Sequence, residues 1–193
     1  GEREVLQELR SGIIDNVDGL RYDGEYYYRK SGIKRPHNAF TSSKLLGQAI
    51  YSFGYKTSGG TVSYPHENKS KSRGELSPPP VFAKDYRVAW DYNKGTNSYA
   101  RTRAEKSEVD KNTGKQVEAK NIIIMKTTWT PINKDYIRVT TVGSGEATIY
   151  KNGIAINGKW EKKNDKTKLY FYDERGREIE FAPGSVWVEI DAR

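Results

Sequence analysis

Apolar positions recur at helical spacing in two stretches near the start of the chain, the pattern of amphipathic helices. The first stretch runs from Arg3 to Arg10 and is followed by Gly12, a residue suited to the position just after a helix. The second runs from Ser42 to Phe53, with a serine able to cap its start and Gly54 able to close its end. The pattern therefore predicts two early helices.

From Tyr86 onward, apolar and polar residues alternate, which is typical of half-buried strands. The mostly apolar run from Asn121 to Trp129 predicts a central strand covered on both faces. Asn152-Gly153 lies between two short alternating runs and predicts a tight hairpin, because both residues tolerate positive φ. The predicted fold class is α+β, with two early helices and a mainly antiparallel sheet or meander in the C-terminal half.

A change of composition divides the chain between these two patterns. Residues 57–80 contain Gly59-Gly60, a run rich in serine and lysine, and Pro78-Pro79-Pro80. Such a stretch disfavours a helix or a central strand, and the proline triplet favours an extended spacer. We therefore predict a linker or mobile loop over 57–80, between a first part, 1–56, and a mainly β domain, 81–193.

Composition excludes several kinds of chemistry. The 193 residues include no cysteine and two histidines, so a thiol nucleophile, a disulfide, a cysteine-ligated zinc and an all-histidine metal site are excluded. No apolar run approaches the ~20 residues that a membrane-spanning helix needs. We predict no metal site and no cofactor.

The first candidate ligand site is the strand-like stretch from Tyr99 to Arg103. Alternation places Tyr99, Arg101 and Arg103 on one face, where two guanidinium groups could clamp a phosphate or carboxylate. Asp110 and Asn121 are nearby polar residues that would shape such a site. The alternative is a solvated strand face whose arginines pair with neighbouring glutamate or aspartate.

The second candidate is His37-Asn38, at the start of the predicted second helix. A histidine beside an asparagine could act as an acid–base pair or bind a polar ligand. The alternative is structural: the asparagine caps a turn while the histidine packs or binds a backbone carbonyl.

The chain carries 33 lysines and arginines against 25 acidic residues, a formal charge of +8. This dispersed positive charge suits weak binding to a polyanion such as nucleic acid, anionic lipid or a wall polymer. Nucleic acid is disfavoured because no helix-turn-helix, zinc-finger or RNA-binding motif is present. The four tryptophans fall in predicted strands, where core packing is the default and a stacking platform the alternative.

Several segments, spread over nearly the whole chain, together resemble the YerB-like lipoproteins of Gram-positive bacteria. In the first part these are Val17-Asp18-Gly19-Leu20, Tyr28-Arg29 and Arg35-Pro36-His37-Asn38-Ala39-Phe40-Thr41-Ser42. In the second part they are Tyr99-Ala100-Arg101, Asp110 with Thr113-Gly114, Asn121-Ile122-Ile123-Ile124, Gly143-Ser144-Gly145-Glu146-Ala147, Asn152-Gly153, Gly158-Lys159-Trp160 and Pro183-Gly184-Ser185-Val186-Trp187.

The resemblance implies an extracytoplasmic protein, tethered to the membrane by a lipid anchor that lies outside this sequence. It also implies that residues 1–56 are the tail of an N-terminal α+β domain. The family carries no defined reaction. We therefore predict a non-catalytic binding or scaffold module of the cell envelope, with teichoic acid, peptidoglycan or an envelope protein as partner. The alternative is an envelope enzyme, a hydrolase or transferase acting on glycan or peptide through His37 or Asp110.

Overall fold

The structure is a computed structural model that describes residues 7, 9, 11–12, 15–19, 23–57, 63–81 and 86–193. The chain forms two compact units, Gly1–Thr61 and Val62–Arg193. Among the described residues, no helix is long and apolar enough to cross a bilayer.

The described residues of the first unit include a ten-residue α-helix and a short strand pair. The elements are a 3-10 helix Gly24–Tyr26, strands β1 Tyr28–Arg29 and β2 Ala39–Phe40, and helix α1 Ser43–Ser52. Ser42 caps α1, its hydroxyl accepting a hydrogen bond of 3.2 Å from the backbone N–H of Leu45. Gly54 follows the helix with a φ of 65°, as the sequence predicts for a residue that closes a helix.

The second unit is built around a five-stranded sheet. Its strands are β7 Asn121–Thr127, β10 Gly143–Lys151, β11 Ile154–Lys162, β12 Tyr170–Asp173 and β13 Val186–Ala192. Their spatial order is β12-β11-β10-β7-β13. Strands β10, β11 and β12 form an antiparallel meander, and Asn152-Gly153 turns the first hairpin with φ values of 54° and 71°. The hairpin predicted at this dipeptide is confirmed.

Strand β7 is an interior strand of this sheet, between β10 and β13, as its apolar run predicts. Its residues from Asn121 to Met125 are buried, because both faces of the strand are covered. It pairs with β10 antiparallel and with β13 parallel. The last strand therefore does not continue the meander but returns to the opposite edge.

A second sheet covers part of one face of the first. Its strands are β3 Val88–Asn93, β4 Ser98–Arg103, β5 Lys106–Ser107 and β6 Glu118–Ala119. A separate two-stranded hairpin consists of β8 Trp129–Pro131 and β9 Ile137–Val139. Trp90 and Tyr99 of the second sheet pack against Ile122, Ile124 and Tyr150 of the first, forming a core between the sheets.

The opposite face of the five-stranded sheet bears a second core. Trp160 and Phe171 pack there with Ile179 and Phe181 of the segment that follows β12. Tyr64 closes this core from outside, its ring centroid lying 5.2 Å from that of Phe181. The five-stranded sheet thus has apolar side chains on both faces.

The predicted α+β class with two early helices is wrong. The described part of the chain is mostly β, and α1 is the one α-helix that lies wholly within it. The first predicted helix, from Arg3 to Arg10, lies largely outside the described residues. The second unit consists of strands and turns from β3 to β13, so one ten-residue helix does not make the protein an α+β fold.

Residues 63–81, most of the stretch predicted as a linker or mobile loop, run extended along the second unit. The backbone N–H groups of Arg73 and Leu76 donate to the carbonyls of Asn152 and Gly153, at 2.7 and 2.8 Å. The Glu67 carboxylate accepts from Asn152 at 2.9 Å and also pairs with Lys151. The extended segment is therefore attached to the β10–β11 hairpin by backbone and side-chain bonds.

We expect the Glu67→Gln variant to lose about 1–2 kcal/mol of stability at neutral pH. Burial alone would raise the pKa of Glu67, but hydrogen bonds from Lys151 and Asn152 and the charges of Lys151 and Arg73 outweigh it and lower the pKa. A depressed pKa gives stability that is present above the pKa of the unfolded chain and lost as pH falls through the folded pKa. Urea unfolding at pH 7 and in acid should show the difference from wild type shrinking in acid.

Glu75→Gln is the matched control for Glu67→Gln. The Glu75 side chain is 76% exposed and pairs with Lys94 at the surface, so its neutral variant should match wild type at both pH values. An equal loss for Glu67→Gln at both pH values would contradict the contribution of the charged carboxylate.

Candidate functional site

The face shared by Tyr99, Arg101 and Arg103 points into the core between the two sheets. Tyr99 is fully buried, and its hydroxyl accepts a 3.1 Å hydrogen bond from the backbone N–H of Gly153. Burial raises the pKa of Tyr99 above its ordinary value. Arg103, at the end of the strand, is 56% exposed and lies 3.6 Å from a carboxylate oxygen of Glu108.

Arg101 is enclosed by two carboxylates and two indole rings. Its Nη1 pairs with Glu108, and its Nε lies 3.5 Å from Oε1 of Glu189. The guanidinium carbon lies 4.8 Å from the ring centroid of Trp187 and 5.7 Å from that of Trp90. A phosphate or carboxylate ligand would have to displace these partners, so the geometry favours a structural role for Arg101.

The side chains of Asn121 and Asp110 also form hydrogen bonds within the protein. The Asn121 amide donates to the carbonyls of Ala182 and Ser185 and accepts from the N–H of Ala182, which fastens the segment before β13 to β7. Asp110 Oδ1 accepts from the N–H groups of Asn112 and Thr113 and from the Thr113 hydroxyl. These hydrogen bonds, above all those from Thr113, lower the pKa of Asp110.

His37 and Asn38 belong to the first unit, in the turn before β2. His37 is exposed, and its backbone N–H donates to the carbonyl of Lys34 at 3.1 Å. Asn38 accepts a 2.9 Å hydrogen bond from Arg29 through its side-chain oxygen. Among the described residues, no group of three or more His, Asp or Glu side chains is placed to hold a metal ion.

The second sheet leaves part of the five-stranded sheet open, and an open groove of about 610 Å³ lies there. Thr148 of β10 and Asn157 of β11 stand opposite each other in the groove, 3.4 Å apart through their side-chain oxygens. Lys126 and Glu146 form a 3.0 Å ion pair beside them. The groove therefore offers amide, hydroxyl, ammonium and carboxylate groups along neighbouring strands.

Two tyrosines of the edge strand β12 extend this face. The residue pairing places Tyr172 opposite Lys159 and Tyr170 opposite Glu161, on the face to which the groove opens. The two rings are stacked with centroids 5.9 Å apart, and Lys159 Nζ lies 5.5 Å from the centroid of Tyr172. We call Thr148, Asn157, Lys159, Tyr170 and Tyr172 the groove face.

Burial, followed by the charges of Glu161 and Glu178, raises the pKa of Tyr172. A tyrosine hydroxyl is protonated at neutral pH even at its ordinary pKa, so the Tyr172 hydroxyl can donate a hydrogen bond there. A Cβ at Gly158 would collide with the carbonyl of Tyr172, so this glycine permits β12 to approach β11 closely. The lack of a side chain at Gly158 thereby allows β12 to place its tyrosines beside the groove.

The charges that line the groove are nearly balanced. Lys126 is paired with Glu146, and Asp173 is held within its own turn by the guanidinium of Arg177 at 2.7 Å. Hydrogen bonds from Arg177 lower the pKa of Asp173 and keep it ionised. Lys159 and Glu174 add one charge of each sign. Such a groove suits an uncharged or zwitterionic ligand better than a polyanion.

The sequence predictions missed the groove face. One signal was available: in Tyr170-Phe171-Tyr172 the alternation of a strand places both tyrosines on the face opposite the buried phenylalanine. The signal does not reveal whether another layer covers that face. That depends on where the second sheet ends, which the local pattern does not encode.

Comparison with known proteins places these features in a family. Residues 79–188 match the family described as "Protein of unknown function (DUF3048) C-terminal domain". The chain is 27% identical over 193 residues to "Putative lipoprotein YerB" of Bacillus subtilis (strain 168), an alignment that covers 95% of this chain and 56% of that protein. The chain thus spans about half the length of that relative.

A crystal structure of the YerB protein from Bacillus subtilis has a similar fold. It superposes with a TM-score of 0.79 and 24% sequence identity, covering 98% of this chain and 64% of that one. The resemblance to YerB-like proteins predicted from the sequence motifs is confirmed by these matches.

Proposed function

Since this chain belongs to the DUF3048 C-terminal domain family, we propose that it is a non-catalytic binding module of an extracytoplasmic lipoprotein and that its groove face binds peptidoglycan. The relative's name as a lipoprotein supports the location. In this proposal a lipid anchor outside the present sequence holds the protein at the outer face of the membrane, where the wall is the nearest polymer.

The open groove is the observation that carries this proposal. It crosses neighbouring strands and has no apolar floor like that of a small-molecule cavity. Thr148 and Asn157 supply donors and acceptors, which glycan hydroxyl and acetamido groups and peptide amides can match. The tyrosines at its edge add aromatic surface and a hydroxyl donor.

Charge favours peptidoglycan over teichoic acid as the ligand of this groove. A polyphosphate chain would meet Glu146 and Glu174 as well as the two lysines. Peptide stems carry both amino and carboxylate groups, which the paired charges of the groove can accommodate. The formal charge of +8 belongs to the whole chain and is not concentrated in the groove.

The enzyme alternative gains no support from the geometry of Asp110. A general acid must hold a proton at working pH, whereas three hydrogen bonds to Oδ1 favour the ionised form of this carboxyl. Asp110 is therefore a poor general acid, and we propose binding without turnover for this unit.

Co-sedimentation with purified cell walls tests the proposed ligand. We expect the chain to be retained on peptidoglycan stripped of teichoic acid. It should remain bound in high salt, because salt screens ion pairs and the proposed contacts are mainly between uncharged groups. The Asn157→Ala variant should be released several-fold more readily, with exposed Asn112→Ala as the matched control. Retention that requires teichoic acid and disappears with salt would contradict the proposal.

A further inference from the structure

The β8–β9 hairpin leaves the five-stranded sheet where β7 ends and returns where β10 begins. Its base is fixed by hydrogen bonds between Thr127, Thr128 and Thr140: the Thr140 N–H donates to the Thr128 carbonyl at 2.9 Å, and the Thr127 hydroxyl to the Thr140 carbonyl at 2.6 Å. At its turn, Asn133 Oδ1 accepts from the N–H groups of Asp135 and Tyr136. The hairpin is thus held at both its base and its turn.

This hairpin exposes an unusual amount of apolar surface. Trp129 is 42% exposed, Ile132 37%, Tyr136 55% and Ile137 51%. The strand pairing puts Pro131 opposite Ile137 and Trp129 opposite Val139, so one face of the ribbon is apolar along its length. Clustered apolar residues on a projecting hairpin mark an interaction surface more often than isolated ones do.

Positive charge surrounds the same end of the sheet. Strand β11 ends at Lys162, directly opposite Gly143, where β10 begins. The connection to β12 continues with the exposed Lys163 and Lys166, against one exposed acid, Asp165. The hairpin itself carries the exposed Lys134 and Arg138, against one acid, Asp135. We call the hairpin together with residues 162–166 the basic end.

We propose that the basic end docks on an anionic lipid bilayer, with Trp129, Tyr136 and Ile137 entering the interfacial region and the lysines facing the head groups. Tryptophan and tyrosine favour the membrane interface because their rings are apolar and their N–H or O–H groups remain hydrated. Basic side chains beside such rings add attraction to anionic lipids.

The combination of apolar and basic groups favours a bilayer over an anionic wall polymer as the partner of this surface. A polymer of phosphates would use the lysines but would leave Ile132 and Ile137 in water. A bilayer accepts both kinds of group, since it presents anionic head groups above an apolar layer. This surface is separate in chemistry from the groove face, whose charges are nearly balanced.

Tryptophan fluorescence can report on this surface selectively. Trp90 and Trp160 are each 1% exposed and Trp187 is partly buried against Arg101, whereas Trp129 is 42% exposed. The chain is mixed with vesicles of phosphatidylcholine alone or with phosphatidylglycerol, carrying brominated acyl chains that quench nearby indoles. We expect quenching with the anionic vesicles, loss of that quenching in Trp129→Phe, and weakening by salt.

Two variants test whether the apolar hairpin contributes to affinity. Ile137→Ser should weaken binding to anionic vesicles about tenfold, because it removes an aliphatic group from the interface. Val109→Ser is the matched control, since Val109 is 48% exposed and lies outside the basic end, and it should bind as wild type does. Both variants should give the far-ultraviolet circular dichroism of wild type.

Three results would overturn the proposal. The first is absence of binding to anionic vesicles. The second is binding without quenching of Trp129, which would mean adhesion by charge alone. The third is equal weakening by Ile137→Ser and Val109→Ser.

Discussion

The Arg101→Ala variant is expected to unfold with a free energy about 3–5 kcal/mol below that of wild type. Arg101 is 9% exposed and pairs with both Glu108 and Glu189. Removing the cation leaves the buried carboxylate of Glu189 without a counter-charge, and leaves Glu108 with only the exposed Arg103 as its cation. It also removes the group that lies against the rings of Trp90 and Trp187.

Urea-induced unfolding of matched variants measures this effect. Arg103→Ala is the natural control, since Arg103 sits on the same strand face, shares Glu108 and is 56% exposed. It should change stability by less than about 1 kcal/mol. Adding Glu189→Gln to Arg101→Ala should restore part of the loss, because one uncompensated charge is removed.

An Arg101→Ala variant that kept wild-type stability but lost ligand binding would contradict this structural role. That result would support the anion clamp predicted from the spacing of Tyr99, Arg101 and Arg103.

The Tyr172→Ala variant is expected to bind soluble peptidoglycan fragments roughly tenfold more weakly than wild type. The substitution removes the aromatic ring beside the groove and a hydroxyl that can donate a hydrogen bond. It also removes the ring against which Tyr170 and Lys159 pack. Calorimetric titration with a disaccharide–peptide fragment would measure the change.

Tyr172→Phe separates the two contributions of this side chain. The ring is kept and the hydroxyl is lost, so an intermediate affinity is expected. Tyr86→Ala serves as control, because Tyr86 is 74% exposed and outside the groove face. Unchanged affinity in Tyr172→Ala, with the fold intact, would exclude the edge tyrosines from the site.

Local patterns predicted much of the strand content. Alternation identified β3 and β4, the apolar run identified β7 as a central strand, and Asn152-Gly153 identified the hairpin between β10 and β11. These features are encoded by neighbouring residues, so a short window contains the needed information.

Long-range features were not predictable in this way. The parallel pairing of β13 with β7 requires the chain to cross from one edge of the sheet to the other, and no local sequence pattern predicts that crossing. Alternation correctly placed Tyr99 and Arg101 on one face, but which side of a strand is interior depends on the layer that packs against it. For the same reason, Tyr99 and Arg101 of the proposed ligand clamp are buried, whereas Arg103 is exposed.

The basic residues illustrate a further limit of sequence reasoning. Arg101 and Arg103 have the same chemistry and lie two positions apart, yet one is buried between carboxylates and the other reaches solvent. The difference arises because Arg103 ends its strand while Arg101 faces Glu189 across the core. The spacing of two arginines along a strand does not show which one pairs with a carboxylate inside the protein and which one is free to contact a ligand.

Chemical-shift mapping tests most directly whether the groove face binds peptidoglycan. The isotope-labelled chain would be titrated with a soluble disaccharide–peptide fragment while its amide resonances are followed. We expect saturable shifts concentrated on β10, β11 and β12, around Thr148, Asn157 and Tyr172. Shifts centred on Tyr99 to Arg103, or no saturable shifts at all, would contradict it.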